Sequence, residues 1–293
     1  MNVASTEERR RLQARIDEVW DYEDPAGTEA RIRDDRAGTA PGLRRDVMAT
    51  QLARALGLQR RFDEARATLG ALDPAGDPEV AVRILLERGR VANSAGDPEA
   101  ARPDFEAAAE LAREAGLEFL AVDALHMVAI VAPPPEQAAW HDRAIELAEG
   151  ADDPRARRWL GSLYNNAGWT RFEAGAHDAA LRLFERALEE RRATGTAREI
   201  ATARWAVARG LRAVGRTAEA LAAQEALRQD NVALGIDDPV VSEELGECLL
   251  ELGRAGEARP HLAAAAEGLA ADPWLAAEEP DRIARLRRLA GTG

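Results

Sequence analysis

The side chains that could carry catalysis are few, and none of them falls into a recognised catalytic motif. The four histidines are His126, His141, His177 and His261, and no two have the i,i+4 spacing of a zinc site on a helix. The single cysteine, Cys248, can form neither an intrachain disulfide nor a multi-thiolate metal site. No glycine-rich phosphate loop, nucleophile elbow or dinucleotide fingerprint occurs. We therefore predict no catalytic residue, no metal site and no cofactor.

One charged pair has a spacing that suits a site. Glu87 and Arg90 are three residues apart, so on a helix they face the same side. Such a pair more often forms an ion pair on a helix surface, which contributes a few tenths of a kcal/mol. Cys248 lies beside a glycine within a helical stretch, and we expect it to be buried and unreactive.

The charge balance narrows the classes of partner. The chain has 39 basic residues, all of them arginine, against 52 acidic ones, giving a formal net charge of −13. Nucleic acids and anionic membranes both attract basic surfaces, so we predict neither as a partner. The first residues lack the apolar core of a signal peptide, and no run is long enough to span a bilayer. These features, with the single cysteine, predict a cytoplasmic protein of unknown oligomeric state.

Helix boundaries are marked by capping residues. Asp-Pro occurs at 77–78, 153–154 and 238–239, where aspartate can cap a helix and proline can begin it. Glycine is expected where paired helices reverse, at Gly57, Gly96, Gly175, Gly215 and Gly253. The predicted helices are 5–20, 25–36, 43–58, 61–72, 78–95, 98–115, 117–131, 135–149, 154–174, 177–194, 197–214, 217–234, 239–252, 255–270 and 279–290.

A pair of small residues recurs at a fixed spacing along these helices. In five copies the two residues are twelve apart, and in the third copy Ala129 and Gln137 are only eight apart. The five regular pairs are Ala53/Ala65, Gly89/Ala101, Gly168/Ala180, Ala208/Ala220 and Gly246/Ala258. A repeat of this kind indicates stacked copies of one supersecondary unit.

The residues around these pairs resemble the tetratricopeptide repeat (TPR). The clearest copies are Tyr164-Asn165-Asn166-Ala167-Gly168-Trp169 followed by Gly175, Ala180, Phe184 and Ala187, and the set Leu85, Gly89, Gly96, Ala101, Phe105 and Ala108. In that family small residues let the two helices of a pair cross closely, and a large residue fills the gap between repeats. The resemblance implies an all-α, right-handed solenoid of about six helix pairs. We divide the chain into a degenerate N-terminal pair (1–42), the TPR solenoid (43–270) and a C-terminal capping helix (271–293).

The resemblance also implies which residues line a concave groove. In the family the fifth and ninth positions of each first helix face the groove. We predict a ligand groove with arginines at one end, aromatic and amide groups in the middle and carboxylates at the other end. Its residues are Arg54, Glu87, Arg90, His126, Asn165, Asn166, Trp169, Trp205, Arg209, Glu243 and Glu247. Trp169 and Trp205 are either exposed anchors for a ligand or packed against neighbouring first helices.

The third repeat departs from the pattern. Pro133, Pro134 and Pro135 must end its first helix early, and Gln137 replaces the small crossing residue. The change is either absorbed by the local twist or opens a notch near His126.

Two functional classes follow from these observations. The first is a non-enzymatic scaffold that binds a protein or peptide in the concave groove. The alternative is a small-molecule binder or enzyme with a pocket at the irregular third repeat around His126. A peptide-sensing regulator is a third class, but such proteins usually carry a DNA-binding helix-turn-helix, which this sequence does not show.

Overall fold

The protein is helical throughout the part of the chain that its computed structural model describes, residues 6–236 and 238–291, where no strand occurs. This confirms the all-α fold. The N-terminal residues 1–5, considered above for a signal peptide, and residues 292–293 lie outside the described residues. The helices are α1 Thr6–Val19, α2 Pro25–Ala37, α3 Leu43–Leu58, α4 Phe62–Gly70, α5 Pro78–Ser94, α6 Pro98–Glu114, α7 Glu118–Val131, α8 Pro134–Gly150, α9 Pro154–Arg157, α10 Leu160–Glu173, α11 His177–Thr194, α12 Ala197–Ala213, α13 Thr217–Ala233, α14 Pro239–Glu251, α15 Ala255–Ala271, α16 Pro273–Glu278 and α17 Pro280–Ala290.

Aspartate caps account for the predicted helix starts. The side chain of Asp77 accepts a hydrogen bond from the backbone N–H of Glu79, and Asp238 does the same for Val240. These bonds satisfy N–H groups that have no partner within the helix. The proline that follows each aspartate already has a helical φ, so the helix begins there.

The helices of each pair cross where the sequence has its small residues. A Cβ atom added to Gly89 would lie 2.5 Å from the ring of Phe105, and one added to Gly168 would lie 2.5 Å from the ring of Phe184. Both phenylalanines are fully buried. The absence of a side chain at these glycines therefore lets the aromatic ring of the second helix pack directly against the first helix.

The irregular third pair keeps the same architecture with a shorter connection. Helix α7 ends at Val131, and Pro133 immediately precedes α8, whose first turn contains Pro134 and Pro135. Prolines are tolerated there because the first N–H groups of a helix have no intrahelical acceptor. The Gln137 side chain donates a hydrogen bond to the carbonyl of Ala132 (3.1 Å) across the turn.

Three local features differ from the sequence prediction. The predicted helix 154–174 is broken, because the chain turns at Arg158 and Trp159 between α9 and α10. Gly57 lies inside α3 rather than at the reversal, and Arg60 takes the left-handed conformation there (φ 61°). The short helix α16, capped by Asp272, was not predicted.

The chain divides into two compact units, unit 1 (Met1–Trp159) and unit 2 (Leu160–Gly293). Unit 1 contains the pairs α3–α4, α5–α6 and α7–α8, and unit 2 contains α10–α11, α12–α13 and α14–α15. In each unit the first helices of successive pairs contact one another. We call the surface formed by α3, α5 and α7, or by α10, α12 and α14, the first-helix face of that unit. The predicted domains 1–42, 43–270 and 271–293 follow the repeats rather than these units, and they stay a prediction.

The described helices differ in length or polarity from a membrane-spanning helix. None of them combines the length and the apolar character needed to cross a bilayer.

Candidate functional site

The predicted groove residues are divided between the two first-helix faces. Unit 1 carries Arg54, Glu87, Arg90 and His126. Unit 2 carries the other seven, which are Asn165, Asn166, Trp169, Trp205, Arg209, Glu243 and Glu247. Each unit is described separately below.

The first-helix face of unit 1 contains a buried ion network centred on Arg90. Its guanidinium donates to Glu87 on the same helix and to Asp123 on α7, each at 2.5 Å. Arg54 on α3 lies 3.9 Å from Glu87. The side chains of Glu87 and Asp123 are 2% and 6% exposed. Glu87 and Arg90 are therefore not a surface pair, and Asp123, the partner of Arg90 on the next first helix, was not predicted from the sequence.

Mutual attraction keeps this network charged. Burial by itself raises the pKa of Asp123, but the positive charges of Arg90 and Arg54 outweigh it and lower that pKa. Burial likewise opposes the charge of Arg90, yet Asp123 and Glu87 raise its pKa. The carboxylate of Asp123 and the guanidinium are thus held by each other rather than available as a general acid or base.

His126 lies next to this network and is almost completely buried. Its ring packs against the ring of Trp159, with centroids 5.0 Å apart, and Trp159 also contacts Phe119. Burial lowers the pKa of His126, more than the nearby Asp123 carboxylate raises it. Unit 1 has two surface clefts, of about 370 and 410 Å³, and His126 lines neither of them. A pocket around His126 therefore stays a prediction.

The lowered pKa of His126 predicts a pH dependence of stability. Between the folded pKa and the unfolded value of about 6.5, the unfolded chain binds more protons, so stability rises with pH. Stability is correspondingly lost as the pH falls below about 6.5. We expect His126→Gln to make the free energy of unfolding less dependent on pH between about 6.5 and 5, as measured by urea denaturation. If the free energy of unfolding changes equally with pH in the wild type and in the variant, the prediction is wrong.

The first-helix face of unit 2 is centred on two half-buried indole rings. Trp169 on α10 and Trp205 on α12 have ring centroids 5.5 Å apart. Trp169 also packs against Phe172 and Phe184, at 5.3 and 4.9 Å. The Trp205 Nε1–H donates to the backbone carbonyl of Val240 on α14 (3.2 Å). Both indoles thus contact neighbouring groups and keep part of their surface accessible to solvent.

Polar groups flank these rings on the same first helices. Asn165 and Asn166 are half-buried, and the Asn165 amide donates to the Asn166 side-chain oxygen (3.1 Å). Arg209 lies with its guanidinium 5.4 Å from the ring centroid of Phe172 and 2.9 Å from Glu244. The aromatic platform is therefore bordered by amides on one first helix and by a guanidinium on the next.

The predicted acidic end of the groove is neutralised within the chain. Arg282 on α17 donates to Glu243, and Arg285 lies 2.5 Å from Glu247. Both arginines of this capping helix are partly covered by their carboxylate partners. Glu243 and Glu247 thus fasten α17 to the last first helix.

The single cysteine lies in the core of unit 2. Cys248 lies on α14 with no exposed surface. Burial, and then the negative charge of Glu244, raise the pKa of its thiol to about 12. The thiol is protonated at neutral pH, and such thiols react slowly.

Comparison with known structures identifies the class of fold. A Signal Transduction ATPase with Numerous Domains with a tetratricopeptide repeat sensor, from Pyrococcus horikoshii, superposes with a TM-score of 0.69 at 13% identity, covering 89% of this chain and 41% of that one. The apo form of RapI gives 0.70 at 10% identity, covering 98% and 80%. NprR in complex with its cognate peptide NprX gives 0.56 at 14% identity, covering 96% and 84%.

These similarities show that the chain has the TPR fold, as the resemblance of its repeats implied. The chain spans less than half the length of the Pyrococcus horikoshii protein. No family model matches the sequence, and no curated protein matches it.

Proposed function

We propose that the protein is a non-enzymatic scaffold that binds a protein or peptide segment on the first-helix face of unit 2. The observation that carries this proposal is the pair of half-buried indoles, Trp169 and Trp205, in contact with each other on adjacent first helices. Aromatic side chains are the commonest energetic anchors of protein interfaces, because they bury a large area with few rotatable bonds.

The groups around the indoles suit an extended segment. The amides of Asn165 and Asn166 each offer donors and an acceptor, which match the alternating N–H and C=O groups of a peptide backbone. The Arg209 guanidinium contacts Phe172 and Glu244, and about one-third of the side chain is exposed. Its exposed part can donate a hydrogen bond to a carbonyl or a carboxylate of the ligand. The side chains of the ligand would pack on the indole surfaces.

The structural neighbours support the same class of partner. NprR, which has this fold, was crystallised with its cognate peptide. In unit 1, by contrast, Glu87, Arg90 and Asp123 are engaged with one another, and His126 is held against Trp159. We also propose the division 1–42, 43–270 and 271–293, and a cytoplasmic location.

Replacing Trp169 tests this proposal. Linear peptides would be selected on the immobilised wild-type chain from a random phage-displayed library, and their affinities measured by calorimetry. We expect Trp169→Ala to weaken binding by about 30-fold, or about 2 kcal/mol, because it removes a central anchor.

Trp274→Ala is the matched control, because Trp274 lies on α16 and is 65% exposed. It should bind the selected peptides like wild type. If Trp274→Ala weakens binding and Trp169→Ala does not, the first-helix face of unit 2 is the wrong surface. Charge reversal of Glu243 or Glu247 is a poorer test, because it would break the contacts that hold α17.

A further inference from the structure

Helix α1 lies along the first-helix face of unit 1 and contacts α5. Arg9 donates to the carboxylate of Asp77 at 3.1 and 3.2 Å and also pairs with Glu79. One turn further along, Arg83 donates to the Gln13 side chain at 3.0 Å. Residues four apart on α1 thus pair with residues four apart on α5, so the two helices run in the same direction where these side chains meet.

The end of this N-terminal segment reaches α3. The Trp20 Nε1–H donates to Gln51 at 2.9 Å. The guanidinium of Arg54 lies 5.6 Å from the ring centroids of both Trp20 and Tyr22, which stack on each other. Arg54 is one of the residues that the repeat pattern predicts to bind a ligand. Trp20 and Tyr22 of the same chain therefore cover one of the residues predicted to bind a ligand in unit 1.

Helix α1 has the pattern of an amphipathic helix bound to a surface. Leu12, Ile16 and Val19, at i, i+4 and i+7, are buried in the same cluster as residues of α3 and α5. On the opposite side Glu7 and Arg11 form an exposed pair. Binding of an apolar helix face to a groove with charged residues at its edge is a common mode of recognition.

The N-terminal end of α1 borders a cleft that is open to solvent. This cleft of about 370 Å³ is lined by Arg9 and Arg10 of α1 and by Glu79 and Arg83 of α5. The starts of α7 and α9 form the rest of its wall. Residues 6–11 of α1 are all polar, so this end of α1 is held mainly by the pairs that Arg9 makes.

We propose that α1 is a displaceable internal ligand that covers the first-helix face of unit 1. The partner that displaces it is an amphipathic helix of another protein, with a basic residue in its first turn to meet Asp77 and Glu79. Three residues after this basic residue, apolar side chains follow at i, i+4 and i+7, to replace Leu12, Ile16 and Val19. This surface goes beyond the function proposed for unit 2 and does not depend on it.

Hydrogen exchange of the full-length protein is the first test. We expect the amides of α1 to exchange by an opening that leaves α3 and α5 protected. Arg9→Glu, which breaks the pairs with Asp77 and Glu79, should speed exchange in α1 by about tenfold and leave α3 unchanged. Arg11→Glu is the matched control, because Arg11 is 79% exposed and pairs with Glu7 on the surface, and it should exchange like wild type. The proposal is overturned if α1 exchanges only together with α3, or if Arg9→Glu does not speed its exchange.

A synthetic peptide of residues 6–22, carrying a fluorophore, provides the second test. By anisotropy it should bind the full-length Arg9→Glu protein about tenfold more tightly than it binds wild type or Arg11→Glu, in which α1 stays in place. The peptide carrying its own Arg9→Glu change should lose this binding. Equal binding to the three proteins would overturn the proposal. Trp169→Ala should not alter this result, so a failure here is distinguishable from a failure of the function proposed for unit 2.

Discussion

Replacing Arg90 with methionine is expected to lower the free energy of unfolding by about 3–5 kcal/mol. Methionine keeps most of the side-chain volume but leaves the carboxylates of Glu87 and Asp123 buried without the guanidinium that neutralises both. Arg54, at 3.9 Å from Glu87, compensates only part of that charge. Without Arg90, burial dominates at Asp123 and shifts its pKa upward, so the deficit should shrink as the pH is lowered.

The measurement is urea denaturation followed by far-ultraviolet circular dichroism, with Arg113→Met as the control. Arg113 pairs with Glu110 on the exposed surface of α6, where solvent screens the attraction and such a pair contributes little to stability. A second variant, Arg90→Met with Glu87→Gln and Asp123→Asn, removes all three charges and should recover part of the stability. If Arg90→Met and Arg113→Met unfold at the same urea concentration, the prediction is wrong, and the Arg90 network is not shielded from solvent.

Local signals explain why the helices and their crossings could be predicted from the sequence. An aspartate before a proline specifies a helix start through bonds within three residues, so Asp77 and Asp238 could be recognised without tertiary information. The small residue at a crossing is likewise tied to a fixed offset along the chain. The break at Trp159 has no such local signal, because that residue is placed by contacts with Phe119 and His126 on another helix.

The candidate sites were less predictable because their chemistry depends on partners far along the chain. The repeat pattern predicts Glu243 as a groove carboxylate. In the structure it accepts a hydrogen bond from Arg282, which lies 39 residues further along the chain. Arg54 looked like a ligand-binding residue, and the structure places Trp20 and Tyr22 over it. A repeat pattern predicts which positions share a face, but not which other segments of the chain already cover that face.

Gly168→Leu is expected to destabilise unit 2 by about 3 kcal/mol, at the upper end of the usual cost of overpacking. A Cβ atom alone would lie 2.5 Å from the ring of Phe184, and the three further carbons of leucine have no space at the crossing. Phe184 cannot move away easily, because it is fully buried and also packs against Trp169. The gain in helix propensity from replacing a glycine, roughly 1 kcal/mol, is too small to offset the clash.

Gly150→Leu is the matched control for this prediction. Gly150 is the last residue of α8, and nothing lies within 4 Å of an added Cβ atom there. Both variants add the same side chain to a helical glycine, so the difference between their urea midpoints isolates the clash at the crossing. We expect Gly150→Leu to unfold close to wild type and Gly168→Leu to unfold at a clearly lower urea concentration. Equal midpoints would mean that α10 and α11 can separate without loss, and that the small residues of the repeat do not determine how closely its helices pack.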